Sequence, residues 1–398
     1  MESQETSHLR TWIEIDSHAL HHNVESFLRL IPKTTRFMAV IKSNAYGHGL
    51  VQVAKLLAES RILNQESGIK IHDSKFMIHD SRIWFGVDSI TEASRLRREE
   101  IGSPIFVLGY TLPSRIEEAA DKNIVLTVSS SEALKEIAAL KARPEFHLKV
   151  DTGMHRQGFL PSETLKLIKL IKLFKLAPQG IYTHFASAKD SDDRRYTIRQ
   201  VTQFGGVISE FEKAGFRNLI RHAAASGGAL LFPESHLDMV RVGMGMYGYA
   251  PSEEFKIQNS KFKNIELKPV LTWKTIVCEV KEILKGSYVG YDNTERVKRN
   301  TKIAVLPVGY WHGYDRGLSN IGEVLIQGKR ARVLGRVSMD MLVVDVTDIR
   351  GIKDKDEAVL IGKSGRGSLW ADELAGRIGT TQYEFLTRLN PLIRRVTI

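Results

Sequence analysis

From residue 11 to about residue 249, short β-branched apolar runs alternate with stretches whose apolar residues recur at helical spacing, the pattern of a parallel α/β architecture. Runs at 12–15, 37–41, 83–87, 105–108, 124–128, 146–150, 181–184 and 219–222 predict strands, and eight strand–helix repeats point to a closed barrel. Between them, Leu20, Val24, Phe27, Leu28 and Ile31 share one face of a helix that Ser17 can cap. Ile198, Val201, Phe204, Ile208 and Phe211 mark another, with Gly215 as its C-terminal stop. Beyond about residue 251 the texture changes to alternating runs separated by turns, at 271–283, 302–307, 323–326, 331–333, 341–346 and 357–361. The expectation is an α/β chain of two domains: an N-terminal (β/α)8 TIM-type barrel over 1–250 and a C-terminal, mostly β domain over 251–398. Residues 61–81 fit neither. Their near-repeat, Ile71-His72-Asp73-Ser74 and Ile78-His79-Asp80-Ser81, stands where a barrel needs only a short link, and it reads as a surface insertion. Its histidines and aspartates form too local a repeat to point to a metal, and a polar loop or hairpin is the simpler reading.

Composition narrows the class. With 398 residues, 42% of them apolar and 26% charged, the chain can bury the core of one large and one smaller domain and carries no biased tract. A single cysteine, Cys278, rules out an internal disulfide or a cysteine metal cluster, and its place in the alternating run 273–283 predicts strand packing. The first ten residues are polar, without the apolar core of a signal peptide, and no run of 18 apolar residues occurs, so a cytoplasmic protein with no membrane span is expected. The net charge of +11 comes from lysines and arginines spread along the chain in no nucleic-acid-binding motif, which argues against a nucleic-acid partner. Lys166, Lys169, Lys172 and Lys175 recur every three residues among leucines and isoleucines, the solvated stripe of an outer helix rather than a membrane-surface helix.

The strongest chemical signal is at residues 38–49. The apolar strand Met38-Ala39-Val40-Ile41 delivers Lys42 to its C-terminal end, the active face of a barrel, followed by Ser43-Asn44-Ala45-Tyr46-Gly47-His48-Gly49. A lysine issuing from a buried strand is costly unless its charge is neutralised or used; a Schiff base with an aldehyde cofactor is one use, snorkelling to the rim another. The stretch 39–49 closely resembles the pyridoxal-phosphate (PLP) attachment segment of the alanine racemase family, and the resemblance runs from Ile13 to about Arg395. Lys149-Val150-Asp151-Thr152-Gly153-Met154-His155-Arg156-Gln157-Gly158 resembles the family's sixth-strand motif. It implies that Arg156 engages the substrate carboxylate and the cofactor's phenolic oxygen, and that Lys149 is a possible carbamylated lysine holding Arg156. By the same resemblance His184, in Thr183-His184-Phe185-Ala186, lies beside the cofactor ring, and Ser226, in His222-Ala223-Ala224-Ala225-Ser226, reaches the cofactor phosphate. Asparagine is common where Ala225 stands, which puts one phosphate contact in question.

Val240-Arg241-Val242-Gly243-Met244-Gly245-Met246-Tyr247-Gly248 resembles the last barrel strand and its loop. It implies that the backbone N–H groups of Gly243 and Met244 receive phosphate and that Arg241 faces the pyridine nitrogen, leaving it unprotonated, which suits racemisation better than transamination. In the β domain, Gly290-Tyr291-Asp292-Asn293-Thr294 matches the segment of the catalytic tyrosine, and Gly335-Arg336-Val337-Ser338-Met339-Asp340 the segment lining the substrate pocket through Met339. Thr381-Gln382-Tyr383-Glu384 matches one whose tyrosine contacts phosphate, and Tyr46 follows the attachment lysine as a further cofactor-side residue. His312 replaces the aspartate usual in Gly309-Tyr310-Trp311-His312-Gly313, a departure bearing on entrance electrostatics.

The resemblance thus implies a PLP-dependent amino-acid racemase, an isomerase interconverting L- and D-alanine with Lys42 and Tyr291 as bases on opposite faces of the α-carbon. It also implies a homodimer with shared active sites and a role in supplying D-alanine for peptidoglycan. A PLP-dependent decarboxylase of similar layout would call for an acidic residue where Arg241 stands, and a non-catalytic PLP-binding barrel would lack the domain that carries Tyr291. A racemase of another or broader amino-acid range stays open.

Overall fold

The structure, a computed structural model, describes residues 6–59, 82–188, 194–250 and 265–398. The predicted insertion at 61–81 lies outside the described residues. Two compact units are present, one drawn from Met1–His18, Tyr46–Gly49 and Pro269–Ile398, the other from Ala19–Ala45 and Leu50–Lys268.

The second unit is the barrel. Its strands are β2 (Arg36–Val40), β3 (Ile83–Val87), β4 (Ile105–Val107), β5 (Ile124–Val128), β6 (Phe146–Lys149), β7 (Gly180–Tyr182), β8 (Ile220–His222) and β9 (Met239–Val242). They close in chain order, each parallel to the next, with β9 returning to β2 through the pairs Phe37–Val240 and Met38–Arg241. Such strands are covered on both faces, and so they read as continuous apolar runs: β3, β4 and β5 are buried at every residue. The helix Ser17–Leu30 turns Leu20, Val24 and Phe27 inward as its spacing predicts. Ser17 is its first residue rather than a side-chain cap, since its hydroxyl donates to the Ile398 carbonyl at 2.9 Å. In the helix Arg195–Lys213, Phe204 and Phe211 face in, but Ile198 is exposed and Gln200 is buried in its stead. Gly215, at φ +101°, follows that helix as the predicted stop. The helix Thr164–Leu173 buries Leu167, Ile168 and Ile171 and turns Lys166, Lys169 and Lys172 outward.

The strand predicted first in the barrel belongs elsewhere. β1 (Thr11–Ile15) pairs antiparallel with β10 (Leu271–Ile276) and parallel with the strand Arg394–Thr397, inside the β unit. Glu14 is the reason visible in its sequence: its carboxylate meets the Lys274 ammonium at 3.0 Å on the adjacent strand, a pairing that an apolar barrel wall would not supply. The eighth barrel strand is β9, whose four residues are all buried. β1 and β10 belong to a mixed ten-stranded sheet, which a separate two-stranded sheet accompanies, and Trp273 and Tyr314 are among the largest buried side chains of the unit. Both of these buried rings satisfy their polar atoms, the indole N–H on Thr11 Oγ1 at 2.9 Å and the phenol on the Glu323 carbonyl at 3.0 Å. Cys278 departs from expectation, being exposed at the break between β10 and the following strand, Glu279–Ile283. Among the described residues no helix is long and apolar enough to cross a membrane.

Candidate active site

β2 ends at Val40, and two residues later Lys42 emerges at the C-terminal rim of the barrel, its Nζ 3.7 Å from Asp88 Oδ1 at the end of β3. Ser43, Asn44, Ala45 and Tyr46 then run in the left-handed region, at φ of 54°, 56°, 53° and 52°. Four such non-glycine residues cost roughly 1–2 kcal/mol each. Hydrogen bonds over-determine the turn: Asn44 N–H donates to Glu92 Oε1 at 3.2 Å, Leu50 N–H to Asn44 Oδ1 at 3.0 Å, and Ala45 N–H to the Ile41 carbonyl at 2.8 Å. The other Glu92 oxygen accepts the Asp88 N–H at 2.8 Å, so one carboxylate ties the rims of β2 and β3 together. Nothing in the sequence marked Glu92 for this task.

β6 ends in Lys149, which is buried, its Nζ 4.3 Å from the centre of the Tyr182 ring. Burial first, then the Arg241 and Arg156 guanidinium groups, push its amine well below the ordinary lysine range. Asp151 opens the next turn and folds it around its own carboxylate. Oδ1 accepts the N–H groups of Gly153, Met154 and His155 at 2.9–3.0 Å, and Oδ2 accepts that of Arg156 at 3.0 Å. Burial works against this carboxylate, yet the four N–H groups hold it below its usual range. The consequence is that Arg156 leaves a fixed turn with its side chain exposed.

Arg241, on β9, is fully buried, which lowers its guanidinium to about 10. Its Nη2 donates to the Thr183 and Ala223 carbonyls, each at 2.8 Å, and to His184 Nδ1 at 3.2 Å, while Nη1 donates to His222 Nδ1 at 2.8 Å. Burial, with Arg241 next, drives His184 well below the ordinary histidine range. A guanidinium can only donate, so neutral His184 accepts at Nδ1 and carries its proton on Nε2. Gln200, the polar residue turned inward from Arg195–Lys213, supports this floor by donating to Thr152 Oγ1 and to the His184 carbonyl, both at 3.3 Å.

Ser226 opens a short helix, and its hydroxyl accepts the N–H groups of Gly243 at 3.1 Å and Gly245 at 3.3 Å. Met244 begins the turn of 3₁₀ helix between them. Gly245 must be glycine, because a Cβ would stand 2.6 Å from the Phe27 ring. Buried N–H groups converging on one oxygen are the donor set an anion requires. Ala225, at the N-cap of the Ser226 helix, supplies no side-chain cap there.

In the β unit, Tyr291 and Met339 are surface residues, 68% and 54% exposed. Tyr291 starts a tight turn after Gly290, anchored by Asp292 Oδ2, which accepts from Arg336 Nε at 2.6 Å. Tyr383 meets Tyr46 edge-on, ring centres 6.3 Å apart, and burial raises its phenol above the ordinary tyrosine value. Arg395 donates through Nε and Nη2 to the Gly47 carbonyl, at 3.1 and 2.9 Å. His312 folds back on its own turn, where Nδ1 accepts the Gly309 N–H at 3.2 Å, and burial lowers its pKa. Its substitution therefore keeps an acceptor for the turn. The structure thus joins Lys149, His184 and Arg241 into one buried group and Ser226 with Gly243 into another; Tyr46 and Tyr383 meet in the β unit.

Comparison with known proteins accounts for these features. Residues 15–63 and 77–251 match the family model of the alanine racemase N-terminal domain, passing over 64–76, and residues 270–397 match that of the C-terminal domain. An alanine racemase of Leptospira interrogans is 36% identical over 393 residues, covering 98% of this chain and 96% of that protein. One from Desulforamulus reducens is 37% identical, with coverage of 97% and 98%. Among solved structures, the alanine racemase of Bacillus anthracis with bound L-Ala-P is 32% identical with a TM-score of 0.86, over 98% of this chain and 95% of that one. A parallel barrel with a rim lysine above a buried arginine–histidine group, followed by a β unit, is the plan of a barrel-type amino-acid racemase, an isomerase. The chain belongs to the alanine racemase family.

Proposed function

We propose that this chain interconverts L- and D-alanine with pyridoxal 5′-phosphate held at the barrel rim, using Lys42 and Tyr291 as the two bases. The observation that carries the reading is the buried group around Arg241: a cation held by four acceptors, three of them sharing the two Nη2 protons, next to a histidine whose protonation it favours.

The residues present fit the cofactor. A rim lysine suits its aldehyde, the N–H groups around Ser226 suit its phosphate, with Met244, Tyr46 and Tyr383 as further contacts, and Arg241 suits a ring nitrogen that stays unprotonated. When bound, the cofactor withdraws electrons from the substrate's α-carbon and so acidifies its proton. The chain does the rest. Arg156 presents a guanidinium to the substrate carboxylate, with bidentate geometry that an ammonium lacks. Met339 narrows the space for the substrate side chain, which favours alanine. Lys42 takes or gives the α-proton on one face and Tyr291 on the other.

Exposure of Tyr291 suits a group that completes the site of a second subunit, so the working form is a two-fold dimer with shared sites. The reading extends to a cytoplasmic enzyme that supplies D-alanine for peptidoglycan. The direct test is to follow loss of optical rotation from L-alanine and from a panel of other amino acids, together with borohydride reduction and mass analysis of the peptide carrying Lys42. Turnover of alanine with a cofactor-sized mass on Lys42 is expected; turnover confined to another amino acid, or an unmodified Lys42, would overturn the reading.

Lys149 has a place in it. A buried amine held well below the ordinary lysine range beside two guanidinium groups can give its lone pair to carbon dioxide, and the carbamate formed, with release of one proton, supplies an anion to these cations. Lys149→Ala is expected to leave the cofactor bound and to lower kcat/KM for alanine about tenfold or more, the loss of one charge-assisted hydrogen bond to Arg156. Unchanged kinetics would reduce Lys149 to a packing residue.

A further inference from the structure

Behind Arg241 the barrel interior holds two more imidazoles. His147, on β6, and His222, at the end of β8, are fully buried, with His147 Nδ1 2.8 Å from His222 Nε2. His147 Nε2 lies 3.1 Å from Gln179 Oε1, and His222 Nδ1 is 2.8 Å from Arg241 Nη1. The space is built for them. A Cβ on Gly180 would stand 2.6 Å from His147 Nδ1, the Phe106 ring packs 4.8 Å from the His147 ring, and Tyr182 stacks on His222 at 4.6 Å with planes 6° apart.

Direction in this chain is favoured from both ends, by the Arg241 donors and by the Gln179 carbonyl acceptor. Arg241 can only donate, so His222 accepts at Nδ1 and, being neutral, carries its proton on Nε2. His222 Nε2–H then donates to His147 Nδ1, His147 carries its own proton on Nε2, and that proton goes to the Gln179 carbonyl oxygen. Each group has one role, and reversing any link would set His222 Nδ1–H against an Arg241 N–H. These links leave each ring a single proton, so neither is a second cation beside Arg241, and burial pushes the same way, lowering both imidazoles from the ordinary histidine range.

We infer that Gln179 and His147 are positioning residues: they lock the tautomer of His222 and through it the plane of the Arg241 guanidinium. The functional consequence rests on Arg241 being the cofactor-ring partner proposed above, whereas the tautomer lock does not. Without the Gln179 acceptor only Arg241 still opposes the reversed chain, so a fraction with His147 and His222 both protonated on Nδ1 becomes populated, and in that fraction Arg241 loses its acceptor at Nη1.

The test is histidine-selective ¹⁵N labelling of the full chain, read by NMR with and without cofactor, on the wild type and on Gln179→Leu, Gln179→Glu and His147→Phe. Wild-type His222 and His147 should both be protonated at Nε2 only. Gln179→Leu should give a tautomer mixture at His222 and about a tenfold fall in kcat with KM for alanine little changed, and Gln179→Glu, which keeps an acceptor, should restore both. His147→Phe repeats the loss if it folds; Gln179, only partly buried, keeps the proposal testable if it does not. Wild-type His222 protonated at Nδ1, or a Gln179→Leu protein with unchanged tautomer, would overturn the inference. An altered tautomer with unaltered kcat would uphold the lock and instead remove Arg241 from the cofactor ring.

Discussion

Replacing Lys42 by alanine is expected to lower racemisation by at least about a thousandfold, or roughly 4 kcal/mol in barrier, while the protein stays folded. Two losses coincide. In the proposed scheme the side chain is both the amine for covalent attachment and one of the two bases, and general acid–base groups alone contribute about 10²–10⁴-fold. The fold should tolerate the change because Lys42 lies at the rim, with its Nζ in a loose 3.7 Å ion pair, and the turn after it is held by backbone and Asn44 contacts. Circular dichroism separates the two effects: an unchanged spectrum with lost turnover supports the assignment, and full activity would end it. Mixing Lys42→Ala with Tyr291→Phe under proven subunit exchange should recover part of the activity, because a heterodimer gathers both defects in one shared site and leaves the other whole. No recovery would count against shared sites.

How much of this could be read before the fold was known depended on which forces left a local trace. The barrel strands did, because burial on both faces demands unbroken apolar runs, and β3 and β5 have the predicted bounds. Thr11–Ile15 misled because its period suits a strand in either unit; only the ion pair of Glu14 with Lys274 on the neighbouring strand, far away in sequence, decides between them. The candidate residues on β6, just after β7 and on β9 were legible as motifs, and in the structure Lys149, His184 and Arg241 do converge. Their supports were not. Glu92, Gln200 and Gln179 are single polar residues in otherwise ordinary segments, and their meaning lies in a hydrogen bond to a distant backbone or ring. Gln200 left one faint sign, since the helix Arg195–Lys213 places Ile198 on its exposed side.

Tyr291→Phe is expected to split the two directions of the reaction. A single base fixed on one face of the α-carbon returns its proton to that face, so inversion without turning the substrate requires a second base opposite. In the proposed scheme Lys42 serves the proton of the D form and Tyr291 that of the L form. To act as a base its oxygen needs a hydrogen-bond donor that favours the phenolate. His184 can be that donor: Arg241 occupies its Nδ1 at 3.2 Å, which places the imidazole proton on Nε2, and a bond donated from there stabilises a phenolate with the Arg241 charge behind it. In deuterated water the variant should still wash the α-proton out of D-alanine through Lys42, while exchange from L-alanine and net racemisation fall about a hundredfold or more. Proton NMR of the α-position reads both rates in one sample. Equal loss for the two enantiomers, or none for either, would refute the division of labour; loss confined to D-alanine would exchange the faces assigned to the two bases.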